Sequence, residues 1–213
     1  MDERTIKVNG QKRISIPPDI IRINMALITV RPTYEEAISA ANIALNDLRE
    51  CLNTVGFSKD EIKTTDFRVN TKYDNVKDEN GNYKRVFVGY EVENRLRIEF
   101  EQNPVKLARV LNAIATCKAN PEFFITYGIK NDSEIKNMLL IGAINDAKEK
   151  AEIMAAAAGV RLGKILNIEY GQSSVEAFNG LPVLAKASGP YLDLEPENLQ
   201  GEANVTVVWR IEG

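Results

Sequence analysis

The sequence predicts an α+β fold: a mixed, mostly antiparallel sheet with three helices packed on it, in the order ββαββαβαββ. Three observations predict it. Alternating apolar and polar stretches recur along the chain, three other stretches repeat apolar residues every three or four positions, and glycine, proline or asparagine punctuates the boundaries.

Thr5 to Ser15 and Asp19 to Arg31 alternate, with Ile6, Val8, Ile14 and Ile16 and then Ile21, Ile23, Met25 and Leu27 marking one face of each. Pro17-Pro18-Asp19 separates them, which gives two strands joined by a short turn. Thr33 with Glu36 forms a capping box that opens a helix through about Val55, its inner side carrying Ala37, Ala41, Ala44, Leu45, Leu48 and Leu52. Gly56 fits a left-handed helix stop, followed by apolar Phe57. Ile62 to Tyr73 and Val86 to Glu101 read as two long strands, and Asn80-Gly81 between them favours a tight hairpin turn. An EF-hand reading of that acidic turn fails, because Val76 and Phe87 fall on the first and last ligand positions.

Asn103-Pro104 is a cap with a first-turn proline, and it starts a helix bearing Leu107, Val110, Leu111, Ile114 and Cys117. A strand follows from Glu122 to Lys130. Asp132 is read as the cap of a third helix running to Ala158, with Leu140, Ala143 or Ile144, Ala147, Ala151, Met154 and Ala158 on one side. Its small residues predict close approach to a sheet, and Asp146 with Lys150 makes a supporting i,i+4 pair. Lys164 to Tyr170 and Ala203 to Ile211 complete the strands, the last containing the only tryptophan, Trp209.

Composition narrows the function classes. The 213 residues carry a net charge of −3 with both signs interspersed, so nothing attracts phosphate backbones broadly, and nucleic acid is not an expected partner. No run of about 18 apolar residues occurs, so no integral membrane segment is expected. The opening residues lack the apolar core of a secretory signal, and the expectation from the sequence as written is cytoplasmic; a periplasmic or envelope location would require an export signal outside it. Histidine is absent, which removes Ser-His-Asp and Cys-His nucleophile pairs and histidine metal sites.

The most motif-like stretch, Gly159-Val-Arg-Leu-Gly163-Lys164, invites a phosphate-loop reading. That loop needs a strand before its glycines and a helix after them, and here the order is helix, glycine, strand. Its spacing is one residue short, and Ile165 stands where a magnesium-binding hydroxyl is needed, so Gly159 reads as a helix stop. Asp60, Glu61 and Asp66 bracket Lys63-Thr64-Thr65, but neighbours along a strand face opposite ways and a solvated loop is the better reading. Cys51 and Cys117 follow helical core spacing and read as buried free thiols rather than redox sensors. Tyr73, Tyr83 and Tyr90 on the long hairpin read as strand-pairing or subunit-contact residues rather than a base-stacking platform, since no basic stripe accompanies them. No catalytic, cofactor or metal residue is assigned, and no cofactor is expected.

From Gly171 to Gly201 periodicity fails over about 30 residues, a length usually belonging to a binding segment, a lid or disorder. Phe178, Leu181, Val183, Leu184, Tyr191, Leu192 and Leu194 make it too apolar for a solvated linker, and they are expected to dock on the same subunit or a neighbour.

The order and its punctuation resemble the SIMPL-domain family, to which bacterial periplasmic immunogenic proteins belong. The matching pieces are Val8-Asn-Gly10, Ile16-Pro-Pro-Asp19, the first helix ending at Gly56, Lys59-Asp-Glu-Ile-Lys-Thr-Thr-Asp-Phe67, Gly89-Tyr-Glu-Val-Glu-Asn94, Ala143 through Gly163-Lys164, and Gly201-Glu202. The resemblance implies an α+β fold, an oligomeric tendency and, in some bacterial members, a link to envelope or oxidative-stress defence. It implies no catalytic residues. The chain is read as one such domain over 1–213, divisible into closely packed subdomains at about 1–102 and 103–213, with irregular loop 171–201.

The resulting expectation is a non-enzymatic, self-associating protein. Its contacts come from Phe178, Leu181, Val183, Leu184, Tyr191, Leu192 and Leu194 together with Tyr73, Tyr83 and Tyr90, with an unidentified protein as a further partner. The alternative is a small-molecule-binding module or an unrecognised enzyme, with loop 171–201 as its lid.

Overall fold

The computed structural model describes residues 4–77, 82–171, 174–176 and 196–212. The chain has the expected α+β architecture, with strands β1 (Thr5–Ile16), β2 (Ile20–Arg31), β3 (Lys63–Lys77), β4 (Tyr83–Glu101), β5 (Glu122–Gly128), β6 (Arg161–Tyr170), β7 (Ser174–Glu176) and β8 (Leu199–Glu212). The helices are α1 (Tyr34–Asn53), α2 (Pro104–Ala115) and α3 (Asp132–Ala157). The strands divide between two sheets. The described residues accordingly form two compact units, one built from 4–19, 128–171, 174–176 and 196–212, the other from 20–77 and 82–127.

In the first unit the sheet order is β1-β8-β6, with β7 also paired to β8, and each of these pairings is antiparallel. Alternation puts Ile6, Val8, Ala203, Val205, Val207 and Trp209 on one face, and α3 covers it with Leu139, Ala143, Ala147, Ala151 and Ala155. Four alanines at i,i+4 leave that helix face almost flat. Gly10 of β1 completes the fit, because a Cβ there would lie 2.1 Å from the Ala143 carbonyl oxygen. The close approach anticipated from the alanine spacing therefore depends on a glycine in the facing strand.

In the second unit the sheet order is β3-β4-β2-β5, with β4 antiparallel to both neighbours. Ile21, Ile23, Met25 and Leu27 of β2 stand beside Leu96, Ile98 and Phe100 of β4, and α1 with α2 closes over them through Leu48, Leu52, Leu107, Val110 and Ile114. Burying each such side chain contributes about 1.5–3 kcal/mol, so this cluster supplies much of the unit's stability. The opposite face of β4 carries Glu91, Glu93, Arg95, Arg97 and Glu99, the polar half of the alternation.

Local signals mark several ends. Thr33 accepts a hydrogen bond from the Glu36 amide at 3.3 Å, and Asn103 accepts one from Lys106 at 3.0 Å. Gly56 and Gly159 have φ of +93° and +69°, as left-handed helix stops require. The cap of α3 differs from expectation: Asn131 is the N-cap residue, while Asp132 begins the helix and pairs with Lys136. There a carboxylate favours the positive end of the helix dipole rather than capping it.

Candidate functional site

The hairpin strands run further than their apolar pattern suggested, β3 to Lys77 and β4 from Tyr83. Polar Asp74, Asn75 and Lys77 hide the strand from a hydrophobicity reading, but each pairs across to β4. β2 ends at Arg31, opposite Tyr90. Beyond that point, among the described residues, β3 and β4 continue as a two-stranded arm, Tyr73 to Lys77 against Tyr83 to Phe87.

A bulge marks the base of this arm. Lys72 pairs with Gly89 and Tyr73 with Phe87, which leaves Val88 as the extra residue. Gly89 has φ +152°, and a Cβ on it would lie 2.2 Å from the Arg31 carbonyl oxygen, so only glycine fits where β2 stops. Residues three apart on a regular strand face opposite ways. The extra residue returns Phe87 to the side of Tyr90, and their rings sit edge to face at 5.6 Å.

The contact is one link in a chain of rings. Tyr34, the first residue of α1, meets Tyr90 at 5.8 Å, and Phe87 meets Tyr73 at 5.6 Å. The Arg85 guanidinium lies 4.3 Å above the Tyr73 ring, and Lys77 lies 5.4 Å from that of Tyr83. Each edge-to-face pair contributes about 0.5–1.5 kcal/mol, which supports a two-stranded element that would be marginal alone. Even so, Tyr73 is 41%, Phe87 45%, Val76 50% and Tyr83 71% exposed, and Val86 and Val88 are exposed as well. Apolar side chains thus crowd a thin element with little covering them.

Of the residues singled out in the sequence, Tyr73 and Tyr90 are therefore brought into one aromatic chain, with Tyr83 nearer the tip of the arm. Phe178, Leu181, Val183, Leu184, Tyr191, Leu192 and Leu194 lie outside the described residues. Sequence reasoning missed Phe87, Tyr34 and Arg85. The β-branched and aromatic residues of Val86 to Tyr90 were a usable signal for the strand, but the bulge that sets Phe87 beside Tyr90 leaves no mark in local periodicity.

The other motifs resolve into structural roles. Glu61 accepts hydrogen bonds from the Ser58 amide and hydroxyl, each 2.8 Å, and these hold its carboxyl below the usual range. Asp66 pairs with Arg68 at 2.7 Å. Gly163 lies within β6, and among the described residues no group of three or more acidic or cysteine side chains is placed to hold a metal. Cys51 and Cys117 are free thiols, the first half-buried and the second buried.

In the first unit, a polar cleft of about 710 Å³ is lined by Asn9, Gln11, Lys150, Glu169, Asn204 and Thr206 among others. Its polar groups largely satisfy one another. Thr206 donates to Asn9 at 2.9 Å, Lys150 donates to Asp146 at 2.7 Å and to the Asn9 carbonyl at 3.3 Å, and Asp146 also accepts the Gln11 amide at 2.8 Å. The Lys150 and Gln11 hydrogen bonds pull the Asp146 carboxyl below its ordinary value.

Two mostly antiparallel sheets with three helices and an aromatic hairpin arm define an α+β protein, and no catalytic constellation is assembled among the described residues. The chain belongs to the SIMPL family, described as a protein of unknown function (DUF541), whose model matches residues 6–209. It is similar to the 26 kDa periplasmic immunogenic proteins of Brucella melitensis biotype 1 and Brucella abortus strain S19, each 24% identical over 163 residues. The match covers 76% of this chain and 65% of the relatives' length. Both relatives are named as periplasmic, which overturns the cytoplasmic expectation. That expectation rested on the first residues, and where a sequence begins does not report what precedes it. Among the described residues no helix is long and apolar enough to cross a membrane.

Proposed function

We propose that this protein is a non-enzymatic, self-associating SIMPL protein, and that the β3–β4 arm is its main contact with a second copy. The observation that carries the reading is the continuation of the hairpin past the end of β2 with Tyr73, Phe87, Tyr83, Val76 and Val86 all exposed. Packing the arm against another copy would remove those side chains from water, at about 25 cal/mol for each Å² of apolar surface. The apolar residues between Phe178 and Leu194 are a second contact in this reading. The names of the relatives support placing the assembly in the periplasm, and the link to envelope or oxidative-stress defence that the family resemblance implies for some bacterial members is the physiological setting this reading adopts.

Molar mass by light scattering on a sizing column, across a dilution series, tests it. A discrete assembly that survives dilution is the expected result. A monomer at every concentration would overturn the reading.

The polar cleft favours a second reading, a module for a small polar ligand held by Lys150, Asn204 and Glu169. A thermal-shift screen of metabolites tests that reading, because a ligand that binds only the folded state raises apparent stability. A saturable hit lost in Lys150→Ala would favour it over the assembly reading.

A further inference from the structure

The chain contains two cysteines, 66 positions apart, and the second unit brings them together. Cys51 lies in the last turn of α1 and Cys117 just beyond the end of α2, two helices that pack on each other. The Cys117 thiol reaches the carbonyl oxygen of Asp47 at 3.7 Å. Asp47 stands one helical turn before Cys51, and helical carbonyls point toward the C-terminus, so this contact sets the Cys117 sulfur over the side of α1 that bears Cys51. Cys51 packs against the same core cluster to which Cys117 belongs. Buried thiols that fill a core ordinarily meet hydrocarbon. Here the chain's two thiols share one core cluster, and one of them touches the α1 backbone a turn before the other.

We propose that Cys51 and Cys117 are a thiol pair built to close into a reversible intramolecular disulfide that ties the end of α1 to the end of α2. Both are free thiols in the structure, which is therefore the reduced form. The co-reactant is a low-molecular-weight disulfide. Half-buried Cys51 is the accessible member: its thiolate attacks one sulfur of the oxidant, forming a mixed disulfide and expelling one thiolate. Cys117 then loses its proton and attacks the Cys51 sulfur, forming the protein disulfide and expelling the second thiolate. The two protein thiols are oxidised, the oxidant is reduced to two thiols, and the two protons released by the protein are taken up by those products.

Burial, followed by the Cys51 hydrogen bond, pushes the Cys117 thiol up to about 11, so the second step is the slower one and accelerates as pH rises. The bond would close a loop that contains all of β3 and β4, and hence the aromatic arm. It constrains the unfolded chain across that whole segment. The inference stands apart from self-association, since it needs one folded unit and no second copy.

The experiment treats the full folded chain with oxidised glutathione, then counts thiols after denaturation and maps linked peptides by mass spectrometry. The expected result is loss of both thiols, a mass lower by two hydrogens, a single Cys51–Cys117 link within one chain, and reversal by reductant. The melting temperature should rise by roughly 5–10 °C on oxidation. Cys117→Ala should stop at a stable glutathione adduct on Cys51, and Cys51→Ser should leave Cys117 unreactive in the folded protein. A glutathione adduct that persists on Cys51 of the unsubstituted chain, a link formed only between chains, or two unreacted thiols would each overturn the proposal. These readouts on the unsubstituted chain hold even if a variant fails to fold.

Discussion

Phe87 and Tyr90 lie three residues apart on one strand yet meet edge to face at 5.6 Å, because the extra residue at Val88 turns Phe87 back to the face of Tyr90. This relationship extends the aromatic surface that starts at Tyr34 of α1 out along the arm. In Tyr73→Ser/Phe87→Ser the arm keeps its backbone pairing but loses two of its exposed rings. Molar mass by light scattering is expected to fall toward the monomer, with far-ultraviolet circular dichroism unchanged. An unchanged mass would remove the arm from the assembly.

Deleting Phe178 to Leu194 is expected to shift the assembly to smaller species, measured in the same way. If the mass per assembly only falls by the deleted residues, that segment makes no subunit contact.

Gly89→Ala joins two penalties, a φ of +152° and a Cβ 2.2 Å from the Arg31 carbonyl oxygen. Residues held in such backbone regions cost about 1–3 kcal/mol each, and the clash adds to that. Urea unfolding should show the loss of stability. Since the strain falls at the base of the arm, assembly should weaken along with it.

Gly10→Ala would press a methyl group against the Ala143 carbonyl and the Ala147 side chain. The backbone oxygen cannot swing away, so β1 and α3 must separate, at a cost of about 2–3 kcal/mol typical of overpacking. Denaturant titration reads this directly, and a neutral outcome would mean that the alanine face of α3 yields easily.

Asp146 gives a pH prediction. Its carboxyl is held below the ordinary value by Lys150 and the Gln11 amide, so the folded state binds its proton less readily than the unfolded chain does. The stability it contributes is fully present above the unfolded carboxylate value of about 4 and is lost as pH falls through the lower folded value. Asp146→Asn is therefore expected to be less stable near neutral pH and to lose less stability on acidification through that window. Urea midpoints measured across the acid range would show the two curves converging.

The sequence by itself determined the elements and their faces. Alternation in β2 and β4, the caps at Thr33 and Asn103 and the stops at Gly56 and Gly159 are local, because each depends on residues within a turn or two of one another. Those local signals, in their order, also carried the family resemblance. Tertiary structure alone decided what meets what. β1 finds its partner in β8, with Thr5 opposite Arg210, while its chain neighbour β2 joins the other sheet. Gly10 matters because Ala143 lies over it, Phe87 because a bulge turns it toward Tyr90, and Cys51 because the chain just past α2 sets Cys117 against the α1 turn before it. Such contacts depend on how distant faces fit in three dimensions, and periodicity along the chain reports only which face is apolar, not which apolar face it will cover.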